Sequence, residues 1–280
     1  MACRKKRYRS TGTSHRKSFF AIFGIFGVIA ALQFVDVALQ QNLSSRAGLL
    51  VYPISTILVT LMLVWRRRMY VSVRHAAFAI AFGVFVALIR YLNGDEFWLD
   101  LGVWMFVGTL GALTMLKHAN ILKETLGFGR LFRSRRALGI CLGLGIALGL
   151  INLNFDHAAG APFLTQLPNW FALGLSAGLL EEMGIRLFIL SLIVYSLGRM
   201  PHRRLEITLT YMLLIIPHSF LHLTGTAAAG EWASAISNTV SLAIIFGFPL
   251  SFLMMRYGVA AAVIAHTLID TLRFLYSGGL

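Results

Sequence analysis

Apolar runs of eighteen or more residues recur from Phe19 to the C-terminus of this 280-residue chain. Each is long enough as a helix, at ~1.5 Å per residue, to cross a hydrocarbon core of ~30 Å. Hydrocarbon leaves every backbone N–H and C=O to be satisfied within the segment, so such runs cross as helices. The expected fold class is therefore all-α: a polytopic membrane helical bundle of about nine transmembrane helices. With 58% hydrophobic and 13% charged residues, the length goes into spans and short connections, and no sizeable soluble domain fits. A net charge of +14 would suit nucleic acid, but the Lys and Arg sit between the runs. Membrane orientation accounts for them, so the expected partner is the lipid bilayer and no nucleic acid.

In chain order, Met1–Lys17 is a basic tail, expected on the cytoplasmic side and leading into a retained first helix. The spans are expected at about Ser18–Leu39, Ala47–Trp65, His75–Tyr91, Phe97–Leu116, Ala137–Leu153, Asn169–Leu197, Leu205–Thr224, Ala235–Met255 and Tyr257–Tyr276. Basic connections (Arg66–Arg68; Lys117 to Arg136; Arg199 to Arg204; Arg256) alternate with neutral or acidic ones such as Asn93–Glu96. The alternation puts the N-terminus in the cytoplasm and the C-terminus outside, in a bacterial-type plasma membrane. Gly139, Gly143, Gly145 and Gly149 in the fifth span read as close helix packing. Cys3 and Cys141 would lie on different surfaces, so no disulfide framework is expected. Three parts result: a tail (1–17), N-terminal transmembrane helices (18–168) and a final group of helices (169–276).

Polar residues inside spans concentrate in that final group. The sixth span carries Glu181, Glu182 and Arg186. An ionisable group in hydrocarbon costs at least ~2.5 kcal/mol, so three in one span need a reason. Glu182 and Arg186 share a helix face and can neutralise each other; Glu181 points about a quarter-turn away with no partner in its own helix. A structural ion pair with one hydrogen-bonded carboxylate is the plain reading. The alternative makes Glu181 a buried carboxylate that handles a proton. The seventh span places His218 and His222 at i,i+4, and the ninth does the same for His266 and Asp270. Glu181 lies about 16 Å in from Trp170, and His266 about 13 Å in from Tyr257 on the opposite side, so both fall near the bilayer middle.

These residues resemble a family. EEMGIR is similar to the EExxxR pattern of the CPBP intramembrane proteases, which include CAAX prenyl endopeptidases and bacteriocin-processing (Abi) proteins. In that family an FxxxH motif follows, then HxxxN or HxxxD, which His266 and Asp270 satisfy. The middle motif departs: His218 stands four residues before His222 where the family has Phe, and Leu214 stands four before His218. Ser219 and Leu223 favour His222. The resemblance covers roughly Asn169–Tyr276.

It implies an intramembrane endopeptidase acting on a membrane-associated or exported protein or peptide. Glu181 with His222 would activate a water, and His266, supported by Asp270, would stabilise the oxyanion. Glu182 and Arg186 would hold the helix, with His218 as neighbour of His222 or its substitute. No cofactor is required on this reading. Zinc is the alternative, because Glu and His are ordinary zinc donors and HxxxH spacing is present, although the HExxH signature is not. A proton-coupled transporter would also use buried Glu, His and Arg, but the sequence has no visible inverted repeat. A non-catalytic immunity or scaffold protein on the same fold is the remaining possibility.

Overall fold

The computed structural model describes Gly24 and residues 56–62, 69–153, 167–221 and 232–277. Among these there is no strand. The helices are α1 (Val73–Leu92), α2 (Trp98–His118), α3 (Leu122–Leu126), α4 (Phe128–Arg133) and α5 (Arg135–Asn152). They continue with α6 (residues 167–197), α7 (Arg204–Leu221), α8 (Trp232–Tyr257) and α9 (Val259–Ser277). The third to ninth expected spans are thus helices with ends within three residues of expectation. The exception is the tail of the seventh, where 222–231 lie outside the described residues, as does most of the first two spans. Of those two, Gly24 and 56–62 are helical.

Five of the helices, α1, α2, α5, α8 and α9, are long and apolar enough to cross a membrane. The α6 helix is as long but carries Glu181, Glu182 and Arg186, and α7 carries Arg204, Glu206 and His218. The chain is an all-α polytopic membrane bundle, and α6, which carries the buried charges, is enclosed by its neighbours. Every residue from Leu187 to Val194 of α6 is buried, as expected of a helix that is apolar all round and enclosed by others. By contrast, Phe78, Ile80, Val84 and Leu88 of α1 are more than half exposed, an apolar face turned to lipid.

Helix α2 packs between α1 and α6, and α9 packs between α5 and α6. Small residues set these approaches. On α5, Gly145 faces the Ala265 backbone and Gly149 faces Leu272 and Ile269 of α9. Gly139 and Gly143, expected to do the same, meet nothing among the described residues. They lie on another face of α5. On α6, Gly174 and Gly178 lie against Thr271 and Thr267 of α9.

The two ends of the bundle are chemically distinct. At one, the Asn93 and Asn169 side-chain amides hydrogen-bond each other (3.3 and 3.0 Å), tying the end of α1 to the start of α6. At the other lie Lys117, Lys123, Arg133, Arg135, Arg136 and Arg256. The connection there was expected to be a plain loop; it contains α3 and α4, held in place by the buried Thr125 and Leu131. Gly127 joins them at φ 72°, a left-handed conformation that needs glycine. Its missing Cβ also leaves room for the Tyr257 carbonyl at the α8–α9 turn. Ser134 then caps α5 by accepting a hydrogen bond from Ala137 N (3.2 Å).

Candidate active site

Helix α6 is not uniform. Leu167–Leu179 and Phe188–Leu197 are α-helical, but Leu180–Leu187 between them is π-helical, and this wider stretch is LEEMGIRL. Single π turns inside α-helices are rare and gather at functional sites. Here the π turn carries Glu181, Glu182 and Arg186 together. A second π stretch, Ala243–Gly247, interrupts α8 beside α7. Neither was legible in the sequence.

The pair expected between Glu182 and Arg186 forms, with Arg186 Nη1 donating to Glu182 Oε1 and both side chains fully buried. The same Glu182 oxygen accepts from His266 Nδ1 at 2.7 Å. An ionised carboxylate can only accept, so this bond puts a hydrogen on Nδ1 of His266. The other edge of the ring, Nε2, then faces Glu181 Oε2 at 3.5 Å and Asp270 Oδ2 at 3.4 Å. Asp270 was expected to orient His266, and it lies beside the ring, but the carboxylate on Nδ1 is that of Glu182.

Glu181 is one-fifth exposed and finds its partner on α7: its Oε2 contacts His218 Nε2. The His218 and His266 rings meet edge to face with centroids 6.2 Å apart. His218, His266 and Asp270 are all more than nine-tenths buried. Of the expected site residues, the structure therefore brings together Glu181, Glu182, Arg186, His218, His266 and Asp270. His222 lies outside the described residues. Pro217, just before His218, has no N–H for the Leu213 carbonyl, which removes one helical bond at the turn that presents the imidazole.

The electrostatics follow from this inventory. Three carboxylates (Glu181, Glu182, Asp270) face one guanidinium and two imidazoles, in a place where an unpaired charge is costly. Protons shared among the imidazoles and carboxylates must balance the excess. Glu181 is the most exposed of the three carboxylates; Glu182 is sealed. One acid is thus placed to exchange protons and the other to hold a ring. Among the described residues no group of three His, Cys, Asp or Glu forms a metal-ligand set. The zinc reading requires His222, which lies outside them.

The sequence reading passed over one polar link. Arg90, in the last turn of α1, donates from Nε to Ser176 Oγ (3.2 Å) and pairs with Asp95 (3.4 Å). Ser176 is fully buried on α6, five residues before Glu181. The available signal was an arginine inside an apolar run, the same signal that singled out Arg186.

Residues 163–272 match the family model described as "Rce1-like: Type II CAAX prenyl endopeptidase Rce1-like". That stretch holds α6, α7, α8 and most of α9, and with them every residue of the cluster. Neither the curated proteins nor the solved structures yield a match to the chain.

Proposed function

We propose, for a chain whose residues 163–272 match the Rce1-like model of type II CAAX prenyl endopeptidases, that it is an integral-membrane endopeptidase in which Glu181 and His218 activate a water. One observation carries this reading: the partly exposed carboxylate of Glu181 contacts His218 and faces His266 at 3.5 Å, so two imidazoles flank one base. Glu181 takes a proton from the water as its oxygen attacks the scissile carbonyl. His218 receives that proton and delivers it to the amine as the C–N bond breaks. Such general acid–base transfer is worth about 10²–10⁴-fold. His266, protonated at both ring nitrogens, donates from Nε2 to the developing oxyanion, while Glu182 holds its Nδ1–H and Asp270 steadies the ring. Arg186 keeps Glu182 ionised and in place.

This reading gives His218 the role that the sequence motif favoured for His222. The contact with Glu181 supports the exchange. The Leu at position 214 then stands where the family has Phe.

The substrate is a protein or peptide segment in the membrane. Glu181 is about 18 Å from Asn169 and about 24 Å from Leu197 along α6, so it is nearer the Asn93–Asn169 end. With the basic end in the cytoplasm, that nearer end is outside, and the segment cut is exported or anchored at the outer leaflet. A prenylated C-terminus presented from the cytosol would need access from the other end.

The test is a comparison of membrane proteomes from cells carrying the wild type or Glu181→Gln, followed by cleavage of the affected polypeptide with purified protein. A polypeptide that fails to shorten in the variant, and is cut in vitro by the wild type alone, is the expected result. Normal processing by Glu181→Gln removes the proposed base. Proton-coupled uptake into proteoliposomes without any cleavage would replace the enzyme by a transporter.

A further inference from the structure

The π turn that carries Glu181 and Glu182 is backed by a helix from outside residues 163–272. Gly108, midway along α2, faces the backbone of Gly184 in EEMGIR. A Cβ at Gly108 would stand 2.6 Å from the Gly184 carbonyl oxygen and 3.2 Å from its carbonyl carbon and Cα. The atoms it would meet are backbone, so no side-chain rotation relieves the clash; one helix has to move. The reverse does not hold. A Cβ at Gly184 would meet the tip of Leu180 and the sulfur of Met105 at 3.6 Å, an ordinary contact. The demand for a residue without a side chain belongs to Gly108, not to the glycine of the motif.

Gly184 is three residues from Glu181 and two from both Glu182 and Arg186. The Glu182 and Arg186 side chains are fully buried and joined to each other and to His266, so they have no slack in which to absorb a backbone shift. We propose that Gly108 is a positioning residue: it sets how closely α2 lies against the π turn, and so holds Glu181 and Glu182 at their distances from His218 and His266. This rests on the protease reading above. It also gives the N-terminal helices a part in the chemistry, because α2 backs the turn that carries the two glutamates.

Relieving the clash of Gly108→Ala to an ordinary contact near 3.4 Å requires the helices to part by about 0.8 Å. A misplacement of about 1 Å can cost ~10²-fold in rate. The expected result for Gly108→Ala is a kcat lower by about that factor, with KM within about threefold because the residue is buried away from substrate.

Gly83→Ala is the matched control. Its Cβ would meet the Gly102 carbonyl oxygen at 2.8 Å and Phe106 Cβ at 2.9 Å, a comparable insult to the same α2 helix on the side turned to α1. It should lower the thermal midpoint as much as Gly108→Ala does, while kcat per folded molecule stays within about twofold. Folded fraction is read by size-exclusion chromatography in detergent, and kcat and KM on one peptide, with wild type and Glu181→Gln alongside. Equal loss of kcat in both glycine variants, or loss in neither, overturns the proposal. Should Gly108→Ala fail to fold, Met105→Leu reshapes the wall beside Gly184 at similar volume; a several-fold lower kcat at constant KM is expected, and an unchanged kcat overturns the proposal. A wild type no more active than Glu181→Gln defeats the protease reading itself, and the two failures are told apart by that comparison.

Discussion

Replacing Arg186 by Ala leaves Glu182 as a carboxylate with no exposure and one remaining donor, the Nδ1–H of His266. Its second oxygen, Oε2, has no hydrogen-bond partner among the described residues even before the change. Breaking a buried ion pair from one side costs about 3–5 kcal/mol, because the surviving charge is left in a medium that cannot solvate it. At ~1.4 kcal/mol per tenfold, that is a shift of roughly a hundredfold to a few thousandfold in the folding equilibrium. Removing both charges at once has a different outcome. Glu182→Gln with Arg186→Met leaves two neutral groups of similar size, and replacing a whole buried pair is often neutral or stabilising. The double variant should therefore recover most of what Arg186→Ala loses. Reversible unfolding in mixed detergent and dodecyl sulfate micelles, followed by tryptophan fluorescence and far-ultraviolet circular dichroism, measures both. Activity should separate from stability: the double variant folds but cleaves poorly, since a neutral Gln at 182 no longer stabilises a charged His266. A double variant as unstable as the single one, or an Arg186→Ala protein of wild-type stability, refutes the reasoning.

The choice of histidine is tested by His218→Ala against His222→Ala in a cleavage assay on purified protein. The first should lose about 10²-fold or more and the second much less, whereas the opposite order returns the base-partner role to His222. A water-activating Glu/His site should survive EDTA and phenanthroline with unchanged kcat. Stoichiometric zinc by elemental analysis, with activity restored only by zinc, would make His218, His222 and one glutamate the ligand set instead. In a chain with Cys3 and Cys141 replaced by Ala, a cysteine at Gly225 should react with a membrane-impermeant thiol reagent in intact cells and one at Arg203 should not. The reverse labelling turns the bundle over and brings cytosolic, prenylated substrates to the front.

Span positions from α1 onward were legible in the sequence because the bilayer demands so much of a helix: an unbroken apolar run of fixed length leaves little choice. So was the Glu182–Arg186 pair, which needs only local helix geometry, and so was the gathering of ionisable residues in the last third. The tertiary structure decided the rest. A local pattern cannot tell His218 from His222, which stand four apart in sequence, and the contact of His218 with Glu181 depends on how far α7 slides along α6, a quantity no local pattern records. The hydrogen bond from His266 to Glu182 depends on the register of α9 against α6, set where Gly174 and Gly178 receive Thr271 and Thr267. The π turn leaves no signature in LEEMGIRL, because the i→i+5 pattern has no residue preference strong enough to declare itself beside packing. It is held from behind by α2, whose Gly108 lies more than seventy positions away in the chain. Spacing along a helix is a property of the sequence, but distance between helices is the sum of every contact that separates them.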